Sequence, residues 1–259
     1  MDLRAIHEAA MDMIRTWVES HTEREATSYG AILRSKRYPL VHEANLAWVE
    51  SMPAEGPQAI VSDLDRTFRG TAVKHRSILF RDAEEAYAAQ EALLAAGFQG
   101  RAELIMAKLG LPACITNPDV GIREVGTEAS EDDYRAVRAA LHASFGYAEE
   151  ESRQVHALER ERAAAVGEKA YVSFLGGRPA GTFTLWPRRP FAMIGNVGTL
   201  PEFRMRGVGR TMIFEASRLA IDARCEWVVL TADRFDFPAT MYETLGFQPV
   251  GEFRSFLKR

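Results

Sequence analysis

The sequence predicts an α/β fold built as two successive units, and three observations predict it. Short apolar or alternating segments, the mark of strands, take turns with longer segments of helical period. Residues 110–119 combine Gly110, Pro112 and an Asn117-Pro118 step, which neither a helix nor a central strand accommodates, and so divide the chain. Residues 201–210 then place two glycines and three arginines between an extended run and an amphipathic helix.

With 259 residues the chain has room for one large domain or two ordinary ones. Its 47% apolar and 26% charged content is that of a soluble globular protein. A formal charge of −4 supplies no basic footprint, so nucleic acid is not an expected partner. No run approaches the roughly 18 apolar residues of a bilayer-spanning helix, so no membrane partner is expected. Asp2, Arg4 and Glu8 put charge where a secretory leader needs an apolar core. Cys114 and Cys225 stand far apart without metal-ligand spacing. The expectation is therefore no metal, reduced thiols and a cytoplasmic location.

Residues 75–82 read as a strand, a helix follows, and Gly97-Phe98-Gln99 leads into an apolar strand carrying Glu103. After the linker, residues 121–125 alternate like an opening strand. Ser130-Glu131-Asp132-Asp133 is expected to cap a helix reaching about Ser144. Residues 149–166 read as a second helix. Its charges, Glu149-Glu150-Glu151 and Glu159-Arg160-Glu161-Arg162, are expected to form a solvated face of ion pairs. Residues 171–175 and 180–186 make a hairpin around Gly176-Gly177. Pro187-Arg188-Arg189-Pro190 reads as an exposed turn, or as a guide for an acidic acceptor. A strand over 192–200, a helix over 206–224, a strand over 227–232, a short helix over 238–245 and a closing strand over 251–258 complete the order βααβββαβαβ.

The two halves echo one another. Residues 75–82 parallel 226–233, a helix follows each, and Gly97-Phe98-Gln99 matches Gly246-Phe247-Gln248. Glu103 and Glu252 fall at the same offset from those glycines. This suggests a duplication, with units at 1–115 and 120–259. The alternative is an unrelated first domain whose Gly-Phe pair is coincidental.

The turn at 201–210 is suited to a pyrophosphate. Gly207 and Gly209 let backbone come close to a ligand. The first-turn amides of the following helix form an anion site, and Arg204, Arg206 and Arg210 add charge suited to phosphate. The pattern is neither a Walker loop nor a dinucleotide fingerprint.

Three features in order carry a family resemblance. They are the strand 193–200 entering Pro201-Glu202-Phe203-Arg204, the run Arg204-Met205-Arg206-Gly207-Val208-Gly209, and Tyr242-Glu243-Thr244-Leu245-Gly246-Phe247. Over roughly residues 120–259 the chain resembles the GNAT acyltransferases. The resemblance implies the GNAT fold, a mixed and mostly antiparallel sheet flanked by helices, here as two units in tandem. It implies acetyl-CoA as acyl donor and N-acetyl transfer to an unknown amine, of a small molecule or a peptide. Val197, Gly198, Thr199 and Leu200 would hold the pantetheine arm and direct an amide at the acetyl carbonyl. Met205, Arg206, Gly207, Val208, Gly209 and Arg210 would hold the pyrophosphate. Tyr242 would protonate the departing thiolate, and its alternative role is packing against the sheet.

Two positions depart from the family pattern, Phe235 where Asn is frequent and Pro238 where a small residue is usual. For a general base, Glu124, Glu128, His142, His156 and Asp233 stay open beside caps and solvated faces. The first unit resembles a degenerate GNAT copy. Leu93 stands in the place of Tyr242, no Arg-x-x-Gly-x-Gly precedes residue 120, and no glycine there is expected to follow a strand and open a helix. It is expected to bind no CoA and to serve as scaffold or acceptor wall. A non-catalytic acyl-CoA-binding sensor or structural protein is the alternative function. A homodimer stays open.

Overall fold

A computed structural model describes residues 2–259. The chain forms two compact units. The first takes the residues up to Ile105 together with Ala232–Asp236 and Val250–Arg259, and the second takes Met106–Thr231 and Phe237–Pro249.

The elements of the first half are α1 (Leu3–Glu19), β1 (Glu23–Thr27), β2 (Gly30–Arg34), β3 (Leu46–Val49), α2 (Pro57–Phe68), β4 (Arg76–Phe80), α3 (Ala83–Ala95) and β5 (Gln99–Leu109). Strands β1, β2 and β3 pair antiparallel in sequence, and β3 pairs β4 in parallel. The inner strands are apolar on both faces, so alternate residues serve two separate cores. Ala31, Leu33, Leu46, Trp48 and Leu79 pack with Ala10, Met11 and Val18 of α1. Ile32, Ala47, Val49, Ile78 and Phe80 pack with Ile60, Leu64, Phe68, Ala86 and Leu93 of α2 and α3. The side chains of Asp2 and Asp82 cap α1 and α3 by accepting from first-turn amides.

The second half contributes β6 (Val120–Glu124), α4 (Glu128–Ser144), α5 (Glu149–Val166), β7 (Lys169–Leu175), β8 (Arg178–Arg188), β9 (Phe191–Thr199), α6 (Val208–Asp222), β10 (Trp227–Asp233), α7 (Phe237–Thr244) and β11 (Gln248–Lys258). Strands β6 to β9 form an antiparallel meander, and β9 pairs β10 in parallel. A Cβ at Gly198 would lie 2.4 Å from Leu141 of α4, and one at Gly181 would lie 3.1 Å from Met212 of α6. Gly198 is opposite Thr182, the neighbour of Gly181 in β8, so α4 and α6 cover opposite faces.

Several expectations change. Thr127, not Ser130, is the N-cap of α4; Ser130 sits at the third helical position and completes a reciprocal capping box. Gly56 does follow a strand and open a helix: it precedes Pro57 at the start of α2 with φ 77°. No alternating signal marks β3, because both its faces are buried. The last strand also departs from the place that chain order gives it. Residues 254–258 of β11 pair antiparallel with 76–80 of β4, inside the first unit.

The echo between the halves reaches hydrogen-bond detail. Phe98 donates its amide to the carbonyl of Leu93 at 3.0 Å, and Phe247 donates to Tyr242 at 3.1 Å. Gly97 and Gly246 both take positive φ, 88° and 85°, as a helix-ending residue of this kind requires. Leu93 and Tyr242 thus occupy the same local position.

In the first unit Glu103 is largely buried beside Arg101 and Asp233. Burial is the main cause that pushes its pKa from 4.5 to about 7; Arg101 pulls the other way, and Asp233 and Glu43 add to the rise. Below pH 4.5 the folded and unfolded chains both hold this proton. Between 4.5 and about 7 only the folded chain does, so stability falls as pH rises through that window. Glu103→Gln is therefore expected to stabilise the protein at pH 8 by on the order of 2 kcal/mol, raising Tm by roughly 4–8 °C, and to leave it nearly unchanged at pH 4. Thermal denaturation at the two pH values checks this; a larger gain at pH 4 than at pH 8 would contradict it.

Candidate active site

The site begins where β9 changes partners. Its parallel pairing with β10 runs from Phe191/Trp227 to Ile194/Leu230 and stops, while β9 continues to Thr199. At the same point the register with β8 shifts. Gly195 faces Thr184 and Gly198 faces Thr182, so Asn196 and Val197 together oppose Phe183. This is a β-bulge, which turns one strand residue out of the ladder and bends the strand. Asn196 carries the bend with φ 51°, a conformation Asn tolerates better than most side chains. Thr182 donates its hydroxyl to the Asn196 carbonyl at 3.2 Å, and Arg138 donates to the Asn196 side-chain oxygen at 3.2 Å.

Past Leu200 the chain makes a 3-10 turn over Pro201–Phe203 and enters α6 through Gly207, which has φ 79° and gives no side-chain cap. Only glycine takes this left-handed entry without strain. The first-turn amides of α6 lack carbonyl partners within the helix, so a positive dipole end faces outward there. Arg204, Arg206 and Arg210 are all exposed around it. Arg204 also reaches back to the Thr199 carbonyl at 3.3 Å, and the Arg206 guanidinium lies 5.9 Å from the Phe203 ring centre.

The linker braces this turn. Asn117 receives no functional weight in the sequence, yet its side-chain amide donates to the Arg206 carbonyl at 2.9 Å. Its backbone amide donates to the Thr211 hydroxyl, also at 2.9 Å. A Cβ on Gly207 would stand 3.2 Å from that of Asn117. The linker proline signal is legible in the sequence; its docking against residues ninety positions away is not.

Tyr242 lies on α7 and is 4% exposed. A Cβ at Gly209 would stand 3.6 Å from the Thr199 hydroxyl and 3.7 Å from the Met241 sulfur, so the end of β9, the start of α6 and α7 meet. Burial alone raises the Tyr242 pKa well above its ordinary 10, keeping the phenol protonated at any physiological pH. On the α4 face, Arg138 pairs with Glu159 at 2.5 Å, both nearly buried, and Arg162 is fully buried. The expectation of a solvated Glu159–Arg162 run is thus corrected. Arg160 does pair near the surface with Glu131, but Glu159 and Arg162 turn inward, because they lie on the buried face of α5, where Glu159 meets Arg138 of α4.

Residues 134–247 match the acetyltransferase (GNAT) family. This segment is a GNAT domain. No curated protein matches the sequence. Among solved structures, the chain is similar to a functionally unknown conserved protein from Staphylococcus epidermidis ATCC 12228. The two are 19% identical with a TM-score of 0.73 over 92% of this chain and 94% of that one. It is also similar to a GCN5-related N-acetyltransferase from Kribbella flavida, with 15% identity, a TM-score of 0.63 and coverage of 97% and 95%. A tandem GNAT protein from the clavulanic acid biosynthesis pathway shares 15% identity with a TM-score of 0.54 over 78% and 69%. These identities speak for the fold, which is that of GNAT proteins, some of them tandem.

Within the GNAT domain, Thr199, Gly207, Gly209 and the Met241-Tyr242 helix come together, while Val197, Gly198 and Leu200 line the strand leading there. Of the base candidates, burial lowers both His142 and His156 to about 4, which leaves them neutral and weakly basic at pH 7. Glu124 is held by Lys169 at 3.0 Å. Asp233 accepts from Arg101 at 2.7 Å, inside the first unit. Among the described residues no cluster of three or more metal-ligating side chains occurs, and no helix is long and apolar enough to cross a membrane.

Asn117→Ala removes the brace beneath Gly207. It is expected to weaken acetyl-CoA binding about 2- to 5-fold, from loss of the one side-chain hydrogen bond to the Arg206 carbonyl at about 0.5–1 kcal/mol, while the backbone bond to Thr211 is kept. Isothermal titration calorimetry measures this, and an unchanged affinity would show that the turn holds its shape without Asn117.

Proposed function

We propose that the second unit catalyses acetyl-CoA-dependent N-acyl transfer to the amine of a small molecule or peptide, and that the first unit binds no CoA. One coincidence carries this. The strand β9 leaves its parallel partner just before a helix start with a left-handed glycine and open amides, and the helix bearing a buried tyrosine touches that start.

In this reading the first-turn amides of α6, with Arg204, Arg206 and Arg210, hold the pyrophosphate of the substrate. The stretch from Val197 to Leu200, paired with β8 on one side and past the end of the β10 pairing on the other, binds the pantetheine amides along that second side as an added strand would. A backbone amide at the bulge faces the acetyl carbonyl and stabilises the oxyanion. The amine nitrogen attacks that carbonyl carbon, the C–N bond forms and the C–S bond breaks. The departing thiolate takes the Tyr242 proton, the nitrogen releases its proton to solvent, and the phenolate regains one from solvent. We assign no general base.

Three residues of the first unit support its part of this reading. Pro57 replaces a donor amide at the start of α2, the Glu85 carboxylate accepts from the Met52 amide, and Leu93 replaces the phenol. A carboxylate already seated in that turn opposes a pyrophosphate.

Gly207→Glu is expected to abolish acetyl-CoA binding measured by calorimetry, since it combines backbone strain at φ 79° with a negative charge beside phosphate. Retained affinity would place the cradle elsewhere. Tyr242→Phe is expected to lower turnover by about 100- to 10,000-fold, with acetyl-CoA affinity nearly intact. CoA release is measured over a panel of amines. Wild-type rates in the phenylalanine variant would return Tyr242 to a packing role. An absence of turnover with every amine, beside tight binding, would favour a sensor.

A further inference from the structure

Resting on the donor site proposed above, we infer that Arg138 is a positioning residue that, through Asn196, sets the direction of the bulge amide facing the acetyl carbonyl. Three observations converge on this. Asn196 holds a left-handed backbone that an L-residue adopts at a cost, so something nearby must stabilise it. The Thr182 hydroxyl holds its carbonyl from β8, and the Arg138 guanidinium holds its side chain from α4. Arg138 is itself fixed, because the same terminal nitrogen donates to Glu159 of α5 and both side chains are about nine-tenths buried. A buried ion pair adds little net stability, but it imposes one geometry on whatever it also touches. Here it touches the single residue at which β9 leaves regular strand conformation, next to Val197.

The function of this arrangement follows from what an oxyanion donor requires. A backbone amide is useful only if its hydrogen points at the place where charge develops, and it must not reorient during the reaction. A residue at φ 51° can relax toward ordinary strand values once its side-chain anchor is lost, which would swing the next peptide plane. Binding of the distant pyrophosphate would be spared. The reaction would slow, and the bound carbonyl would be less polarised.

Two independent cuts test the link. Asn196→Gly keeps the left-handed conformation accessible but removes the anchor, and leaves both charges in place. Arg138→Met combined with Glu159→Gln removes the anchor from the other side together with its ion-pair partner. The ligand is a stable ketone analogue of acetyl-CoA with 13C at the carbonyl, read by NMR, beside calorimetric affinity and turnover. Both variants are expected to keep affinity within about 3-fold, to lose about 10- to 100-fold in kcat, and to return the carbonyl resonance toward its free value. All three substitutions together should do no more than either cut. Asn196→Asp, which still accepts from Arg138 and tolerates the bend, should keep the bound shift. If the bound shift is unchanged in both cuts, or the combined loss is the product of the two, the inference fails even if Tm falls. If the wild-type protein does not bind the analogue at all, the donor site itself is wrong.

Discussion

The second unit depends on one constraint: a strand that abandons its neighbour must find new partners for its backbone. Half of β9 is a conventional central strand between β8 and β10, and half is not. Buried amides and carbonyls cannot simply be left open. The bulge at Asn196, the Thr182 and Arg138 hydrogen bonds and the packing of Leu141 against Gly198 all belong to the place where that change is absorbed. The strand leads from there into Pro201 and the left-handed Gly207, which opens α6.

Charge inside the second unit is spent on shape more than on stability. Glu159 pairs with Arg138 away from water, and His142 and His156 are kept neutral by burial. None of these groups is well placed to move a proton at pH 7. Their contacts join α4 to α5, His142 with Ser152, His156 with Glu131 and Arg138 with Glu159, and of these groups Arg138 also reaches β9 at Asn196. The surface arginines around α6 are different in kind: they stay exposed, and their charge is available to a ligand.

The two units share a local plan. Both have a parallel pair of strands, β3 with β4 and β9 with β10, and both have a positive-φ glycine opening the next helix. Both end the later helix at a glycine whose following Phe amide returns to the same carbonyl. They differ in the Arg204–Gly209 run, which the first unit lacks, and at single residues: Pro57 at a helix start, Glu85 on the Met52 amide, Leu93 in place of a tyrosine. Leu93 is buried in the core of the first unit.

The sequence by itself determined the α/β class, the order of elements after residue 120 and the glycine-arginine turn. Each of these rests on local signals: period, turn residues and the spacing between a strand and a helix. It also carried the echo between Gly97-Phe98 and Gly246-Phe247, because the same helix-ending hydrogen bond demands the same pair. It did not reveal β3 or the start of α2, since a strand buried on both faces has no alternation and Gly56 is a lone glycine. Nor did it distinguish Glu159 and Arg162 from solvated helix charges; the pattern along α5 is the same in either case, and only tertiary packing, as of Glu159 on Arg138 of α4, decides which side is buried. Asn117 beneath Gly207, Arg138 on Asn196, and β11 beside β4 are contacts between residues far apart in the chain. No local period or spacing encodes them, and only the tertiary structure decides them.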